Sequence, residues 1–242
     1  MIYFQKNNKH YIFVHIPKTA GKAIRKSIME NITGSVDLRR TVESSLFSKK
    51  IKWDEHSPGW YIKKYLNIKD VQLISVVRNP WARFFSIFQN VMMLRHNKEE
   101  KSSLGIYLDI DRRYDLSRDF LDYTVSFMNK IGSNNSKETF KFWLYFIGRN
   151  RKIIPESNSN YNILPQSWWL LDSENQKAVN KIFKYEELEK LEEFLGINLT
   201  SYNTNRIKSN EMYKYFYSSE TKEYISKLDE WLINEFDYKY DS

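Results

Sequence analysis

The sequence predicts an α/β fold with a central, mainly parallel β-sheet flanked by helices. Three observations carry this expectation. Two strand-like runs, 10–16 and 70–77, each feed a short turn and then a helix-like segment. The second run, Asp70-Val-Gln-Leu-Ile-Ser-Val-Val77, is almost continuously apolar, as expected of a strand buried on both faces of a parallel sheet. A third run, 179–184, again reads as a strand before a helix, so strands alternate with helices.

The elements follow in order. Residues 1–9 are polar and predict a loose lead-in with a short edge strand at most. Residues 10–16 are rich in β-branched and aromatic side chains and predict the first strand. A turn, Pro17-Lys-Thr-Ala-Gly-Lys22, precedes a helix over 23–31, with Ile24, Ile28 and Met29 on one face. Residues 53–60 are turn-rich and hold one histidine, His56; a short helix follows to Leu66. After the strand 70–77, Pro80 suits the first turn of a helix to about Arg95, with Phe84, Phe85, Phe88, Val91 and Met92 inward. A further helix is expected from Ser117, and a segment with Trp143, Tyr145 and Phe146 is ambiguous between helix and strand. Tyr185-Glu-Glu-Leu188 opens a helix that stops at Gly196. One final helix is expected over 219–236. The chain reads as one domain, 1–242, with 97–160 a helical or loop insertion.

Composition narrows the function. The chain has 242 residues, of which 41% are hydrophobic and 16% aromatic, enough for a packed core. The formal net charge of +8 fits a lysine-rich solvated surface or an anionic ligand equally well. Cysteine is absent, which excludes a disulfide framework and a thiolate nucleophile and fits a reducing compartment. No signal peptide is visible, and no apolar run approaches the ~18 residues of a membrane span. A soluble, cytoplasmic protein is expected.

Two stretches carry chemistry. The first is His15-Ile-Pro-Lys18-Thr19-Ala20-Gly21-Lys22-Ala23, where a strand enters a helix through small residues. Amide groups and the helix dipole favour an anion at such a helix start, and Lys18, Lys22 and the Thr19 hydroxyl add to this. A nucleoside triphosphate loop would read G-x-x-x-x-G-K-[ST]. Here Ala23 replaces the hydroxyl residue that holds magnesium, so metal-dependent phosphoryl transfer is poorly supported. The second is Val76-Val-Arg78-Asn-Pro-Trp-Ala-Arg83-Phe-Phe-Ser86. Arg78 leaves the carboxyl end of a strand, where ligands bind in open α/β sheets. An arginine fork with the Ser86 hydroxyl suits a second phosphate. Arg83 reads as structural.

Together these stretches resemble the sulfotransferases that use 3′-phosphoadenosine 5′-phosphosulfate (PAPS), most closely the carbohydrate-acting, family 2 type. The elements Leu164-Pro-Gln166, Tyr185-Glu-Glu-Leu188 and Asn205 before Tyr213 to Tyr217 resemble the same family. The resemblance implies a P-loop-like three-layer fold. It implies that Lys18, Thr19, Ala20, Gly21, Lys22 and Ala23 hold the 5′-phosphosulfate and that Arg78 and Ser86 hold the 3′-phosphate. Where the family often has Thr or Ser, this chain has Lys22 and Ala23.

The activity so implied is in-line transfer of the sulfuryl group to a hydroxyl of a glycan or glycolipid, leaving 3′-phosphoadenosine 5′-phosphate (PAP). Lys18 is the candidate for stabilising the leaving oxygen. A base near neutral pH is most simply histidine, from His10, His15, His56 and His96. His56 is favoured because it lies between the two phosphate motifs, and Glu55 is the alternative. His15 is expected to be structural or to orient the loop. The residues from Trp53 to Trp60, with the segment 97–160, are expected to form the acceptor site. No metal and no nucleic acid partner are expected; peripheral membrane contact would follow from a lipid-linked acceptor. The competing readings are a P-loop-type nucleotide kinase and a basic nucleic-acid-binding module.

Overall fold

The computed structural model describes residues 1–38, 55–67, 70–96, 140–141, 164–199 and 212–241. The Ser117 helix, the segment with Trp143, Tyr145 and Phe146, Trp53, Asn205 and nearly all of 97–160 lie outside these residues.

The described elements run β1 (Ile2–Lys6), β2 (Lys9–Val14), α1 (Gly21–Asn31), β3 (Val36–Asp37), α2 (Gly59–Tyr65), β4 (Val71–Val77) and α3 (Pro80–His96). After them come α4 (Ser167–Leu170), β5 (Lys181–Lys184), a 3-10 turn (Tyr185–Glu187) and α5 (Leu188–Leu195). A second 3-10 turn (Met212–Tyr215), α6 (Ser219–Leu228) and α7 (Glu230–Phe236) complete the described chain. The molecule is mixed α/β with a five-stranded open sheet of order β3-β1-β2-β4-β5. No helix among the described residues is long and apolar enough to cross a membrane.

Two expectations about the sheet need correction. Residues 2–6 are not a loose lead-in: β1 is an interior strand, and Ile2 and Phe4 are fully buried. The reason is a tight hairpin. Asn7 and Asn8 both take positive φ (48° and 58°), as a two-residue primed turn requires. The turn pairs Lys6 with Lys9 and Ile2 with Phe13. The sheet is also not mainly parallel. β2/β4 and β4/β5 are parallel, whereas β1/β2 and β1/β3 are antiparallel.

The chain forms two compact units, 1–79 with 165–207, and 80–164 with 208–242. In the first, alternate strand residues face one helical layer. Ile2, Phe4, Tyr11, Phe13, Ile74, Val76 and Phe183 pack with Ile24 and Ile28 of α1 and with Leu188, Leu191 and Leu195 of α5. Each such aliphatic side chain contributes about 2 kcal/mol by leaving water. The other sheet face, with Ile12, Val14, Leu73 and Val77, is buried too, so β4 reads as a continuous apolar run. Gly196 ends α5 in the left-handed region, φ 66°, as its position predicts.

In the second unit, α3 buries Phe84, Phe85 and Phe88 as its spacing predicts. Phe85 meets Phe216 with ring centres 4.6 Å apart, and Phe140 meets Tyr217 at 4.7 Å. The Tyr217 hydroxyl donates to the Trp81 carbonyl, and the Trp81 indole donates to the Lys222 carbonyl. The expected single helix over 219–236 is broken at Asp229. A capping box between Ser218 and Thr221 starts α6. Buried Asp229 ends α6 and begins α7: its N–H donates to the Ile225 carbonyl, and its own carbonyl accepts from the Ile233 N–H. The apolar spacing continues through the break, so periodicity alone did not reveal it.

Candidate active site

The loop after β2 is shaped by its backbone. Lys18 and Ala20 take left-handed conformations (φ 69° and 65°), a strained geometry for non-glycine residues. Ala20 is the N-cap of α1 and offers no side-chain hydrogen bond, and the first turn holds no acidic residue. The helix start therefore keeps its amide groups for an outside anion.

Lys18 is largely buried, and burial brings its ammonium down to about 8, with Arg78 and then Lys22 adding to the effect. An ammonium lowered by burial and by neighbouring cations is what a bound polyanion would relieve.

Side chains sit in this loop unequally. The Thr19 hydroxyl is buried and donates to the Ile16 carbonyl at 2.9 Å, so it closes the turn. Lys22 is exposed and Ala23 half-buried at the start of α1. Gly21 has a steric role that its flexibility does not explain: a Cβ there would lie 1.7 Å from Cδ2 and 2.0 Å from Nε2 of His15. The His15 ring is thus packed directly against the loop backbone.

The second motif meets the first through Arg78. Its guanidinium donates to the Lys18 carbonyl at 3.4 Å and lies 4.5 Å above the Tyr185 ring. Its backbone is clamped by Gln166: the Arg78 N–H donates to Oε1 at 2.9 Å, and Nε2 donates to the Arg78 carbonyl at 2.7 Å. The Glu186 carboxylate accepts from the Asn79 N–H at 2.9 Å. Gln166, Tyr185 and Glu186 therefore set the direction of Arg78. The sequence displays them within Leu164-Pro-Gln166 and Tyr185-Glu-Glu-Leu188, but nothing in their spacing assigns these contacts. Arg83 is fully buried and donates to the Leu164 carbonyl at 2.9 Å. Ser86 is half-buried on the second turn of α3.

The histidines separate clearly. His10 lies on β2 with Nδ1 against the Tyr3 hydroxyl at 2.7 Å, and the His96 side chain is outside the described residues. His56 and His15 come together, with ring centres 4.5 Å apart. Nδ1 of His56 donates to the His15 carbonyl at 2.9 Å, and Nε2 faces Glu55 Oε1 at 3.1 Å. The Trp169 indole donates to the His56 carbonyl at 2.8 Å, which pins the turn. Gly59 permits this close approach, since a Cβ there would lie 2.9 Å from Val179 and 3.0 Å from the Trp169 carbonyl. Glu55 is drawn down to about 2, first by the His56 hydrogen bond, while burial opposes the shift. Arg25 lies 3.7 Å from Glu55 and 3.6 Å from Asp37. His15 is buried and held well below the usual histidine range, first by burial and then by His56. Trp60 and Trp168 remain half-buried nearby, in edge contact at 6.1 Å.

A separate hollow of about 430 Å³ is lined by Lys9, Tyr11, Asp70, Gln72, Ile74, Lys181 and Phe194. Lys9, Asp70 and Lys181 mark the amino ends of their strands, whereas the loop and Arg78 follow the carboxyl ends of β2 and β4. The hollow thus lies at the opposite strand ends from Lys18 and Arg78.

No curated protein and no solved structure matches the chain. A family model described as the sulfotransferase family matches residues 2–240, nearly the whole sequence and both motifs. On that match the chain belongs to the sulfotransferase family.

Proposed function

We propose that the protein transfers the sulfuryl group of PAPS to a hydroxyl of a carbohydrate or glycoconjugate, in a reducing, cytoplasmic setting and on a P-loop-like three-layer fold. The observation that carries the proposal is the meeting of Lys18 and Arg78 at the uncapped start of α1. One anionic group at the loop would account for the first motif alone. The clamped Arg78 adds a second cation that a nucleotide with phosphates at both 3′ and 5′ positions would use.

The residues present fit that donor. The amides at 20–23, with Lys18 and Lys22, would hold the 5′ end, while Arg78 and Ser86 would hold the 3′-phosphate. When bound, the donor supplies an electrophilic sulfur attached to a phosphate leaving group. The acceptor oxygen bonds to sulfur as the sulfur–phosphate oxygen bond breaks, PAP departs, and the hydroxyl proton passes to the protein. Lys18 faces the charge that develops on the leaving oxygen.

The proton acceptor we assign is His56. In the neutral ring Nδ1 keeps its proton for the His15 carbonyl, so the proton from the acceptor would go to Nε2, and only the charged ring donates from Nε2 to Glu55. Glu55 then stabilises the charged ring from 3.1 Å. A carboxylate held down by its hydrogen bond with His56 is itself a poor base at neutral pH, which supports His56 over Glu55 as the proton acceptor. The acceptor site would use the half-buried Trp60 and Trp168.

Calorimetry with PAP and with ATP, both without metal, tests the reading. PAP is expected to bind and ATP to bind weakly or not at all. Absence of PAP binding at high micromolar ligand would sink the proposal, and magnesium-dependent ATP turnover would replace it with a kinase. In His56→Ala, PAP affinity is expected within about twofold of wild type, with transfer reduced at least ~100-fold.

A further inference from the structure

His15, Glu55 and His56 are brought together from positions 41 residues apart at their widest. One nitrogen of each ring and one Glu55 carboxylate oxygen all lie within 4.8 Å of one another. His15 Nδ1 is buried and has no hydrogen-bond partner among the described residues. The opposite edge of that ring, Cδ2 and Nε2, rests on Gly21, so Nδ1 faces away from the loop backbone. Two imidazoles and one carboxylate form a donor set that zinc takes, with a fourth position left for water. Small side-chain rotations would bring three atoms already this close to coordination distance.

We propose that His15, His56 and Glu55 form a binding site for a divalent first-row metal ion, zinc foremost, whose occupation blocks transfer. The inhibition rests on the assignment of His56 as proton acceptor; the binding does not. A metal on Nε2 of His56 occupies the lone pair that would receive the acceptor proton, and it draws Glu55 from the ring. Metal affinity also requires deprotonated ligands, and the burial that keeps His15 neutral meets that condition. Arg25, 3.7 Å from Glu55, opposes a second cation, so the expected affinity is micromolar and not that of a structural zinc site. Sequence spacing does not reveal the cluster because its members come from two loops.

The test is calorimetric titration of the full chain with zinc chloride, without donor or acceptor. One saturable site of micromolar affinity is expected. His56→Ala and Glu55→Gln should each weaken it at least tenfold, while His10→Ala leaves it unchanged. Cobalt in place of zinc should give the d–d absorption of a tetrahedral N/O site, lost in His56→Ala. Unsaturable binding, or equal zinc affinity in wild type and the Glu55→Gln/His56→Ala double variant, overturns the site. A second titration with PAP separates the two readings, since PAP affinity should be the same with and without zinc. Zinc binding with no PAP binding would retain the metal site and reject the sulfuryl-transfer reading. PAP binding and transfer that persist at saturating zinc would reject the inhibition.

Discussion

The chain beyond β2 and the end of β4, both in the first unit, are built in different ways. The loop after β2 is a backbone device: two left-handed residues, an uncapped helix and a glycine that leaves room for His15. The end of β4 is a side-chain device: Gln166 and Glu186 fix the backbone of Arg78 and Asn79, and Tyr185 lies under the guanidinium. The first joint is strained and carries a cation that burial disfavours, whereas at the second the guanidinium, also buried, is held against the Tyr185 ring. The loop cation should therefore cost the free protein stability, and the stacked Arg78 should not.

The largest effect is expected at Gly21. In Gly21→Ala the new methyl would overlap the His15 ring, lowering stability by about 3 kcal/mol and PAP affinity at least ~100-fold. A denaturant midpoint and calorimetry measure both. His15→Gly in the same chain should recover part of the stability, because the clash is with that ring; no recovery would show that the loop itself resists the methyl.

Next come the two cations, which should part in sign. Lys18→Met is expected to weaken PAP binding ~100-fold and to raise the stability of the free protein by about 1 to 2 kcal/mol, since a buried charge is removed. Arg78→Lys should also weaken PAP binding, at least ~10-fold, but lower stability by about 1 kcal/mol through loss of the Tyr185 contact. Stability changes of the same sign would break the comparison.

Gln166→Leu sharpens it. The change leaves the buried Arg78 N–H and carbonyl without their side-chain partner, at a cost of about 2 kcal/mol. PAP affinity should fall roughly tenfold while the acceptor KM stays unchanged. A variant as stable as wild type would show that the clamp is dispensable.

The smallest effect is a pH dependence. The Lys18 ammonium stands at about 8 in the folded chain against 10.5 for an ordinary lysine. Between those values the unfolded chain binds more protons, so this group makes stability rise with pH across that window. Donor affinity should run the other way and decline above about 8, with proton uptake on PAP binding there. Calorimetry in buffers of different ionisation enthalpy reads the uptake, which Lys18→Met should abolish.

Much of the fold was legible because periodicity is local. The runs at 70–77 and 10–16, Ile24 and Ile28 on α1 and the Gly196 stop follow from neighbouring residues, whereas Met29, expected on the same face of α1, is exposed. β1 was missed because its evidence lay in the turn, where Asn7-Asn8 closes a hairpin, and the strand's own polar appearance concealed two buried positions. The break at Asp229 was missed because the apolar spacing runs across it.

The candidate site divides along the same line. The sequence by itself determined the two strand-to-helix motifs, because strand, small-residue loop and helix are contiguous, and it determined the family match over 2–240. Only the tertiary structure decided what each side chain does within them. Thr19 turns inward to the Ile16 carbonyl, Gln166 reaches Arg78 from 88 residues away, and His56 is set between Glu55 and the His15 carbonyl. Such contacts depend on which strands lie side by side, and sheet pairing brings together residues whose separation along the chain carries no signal.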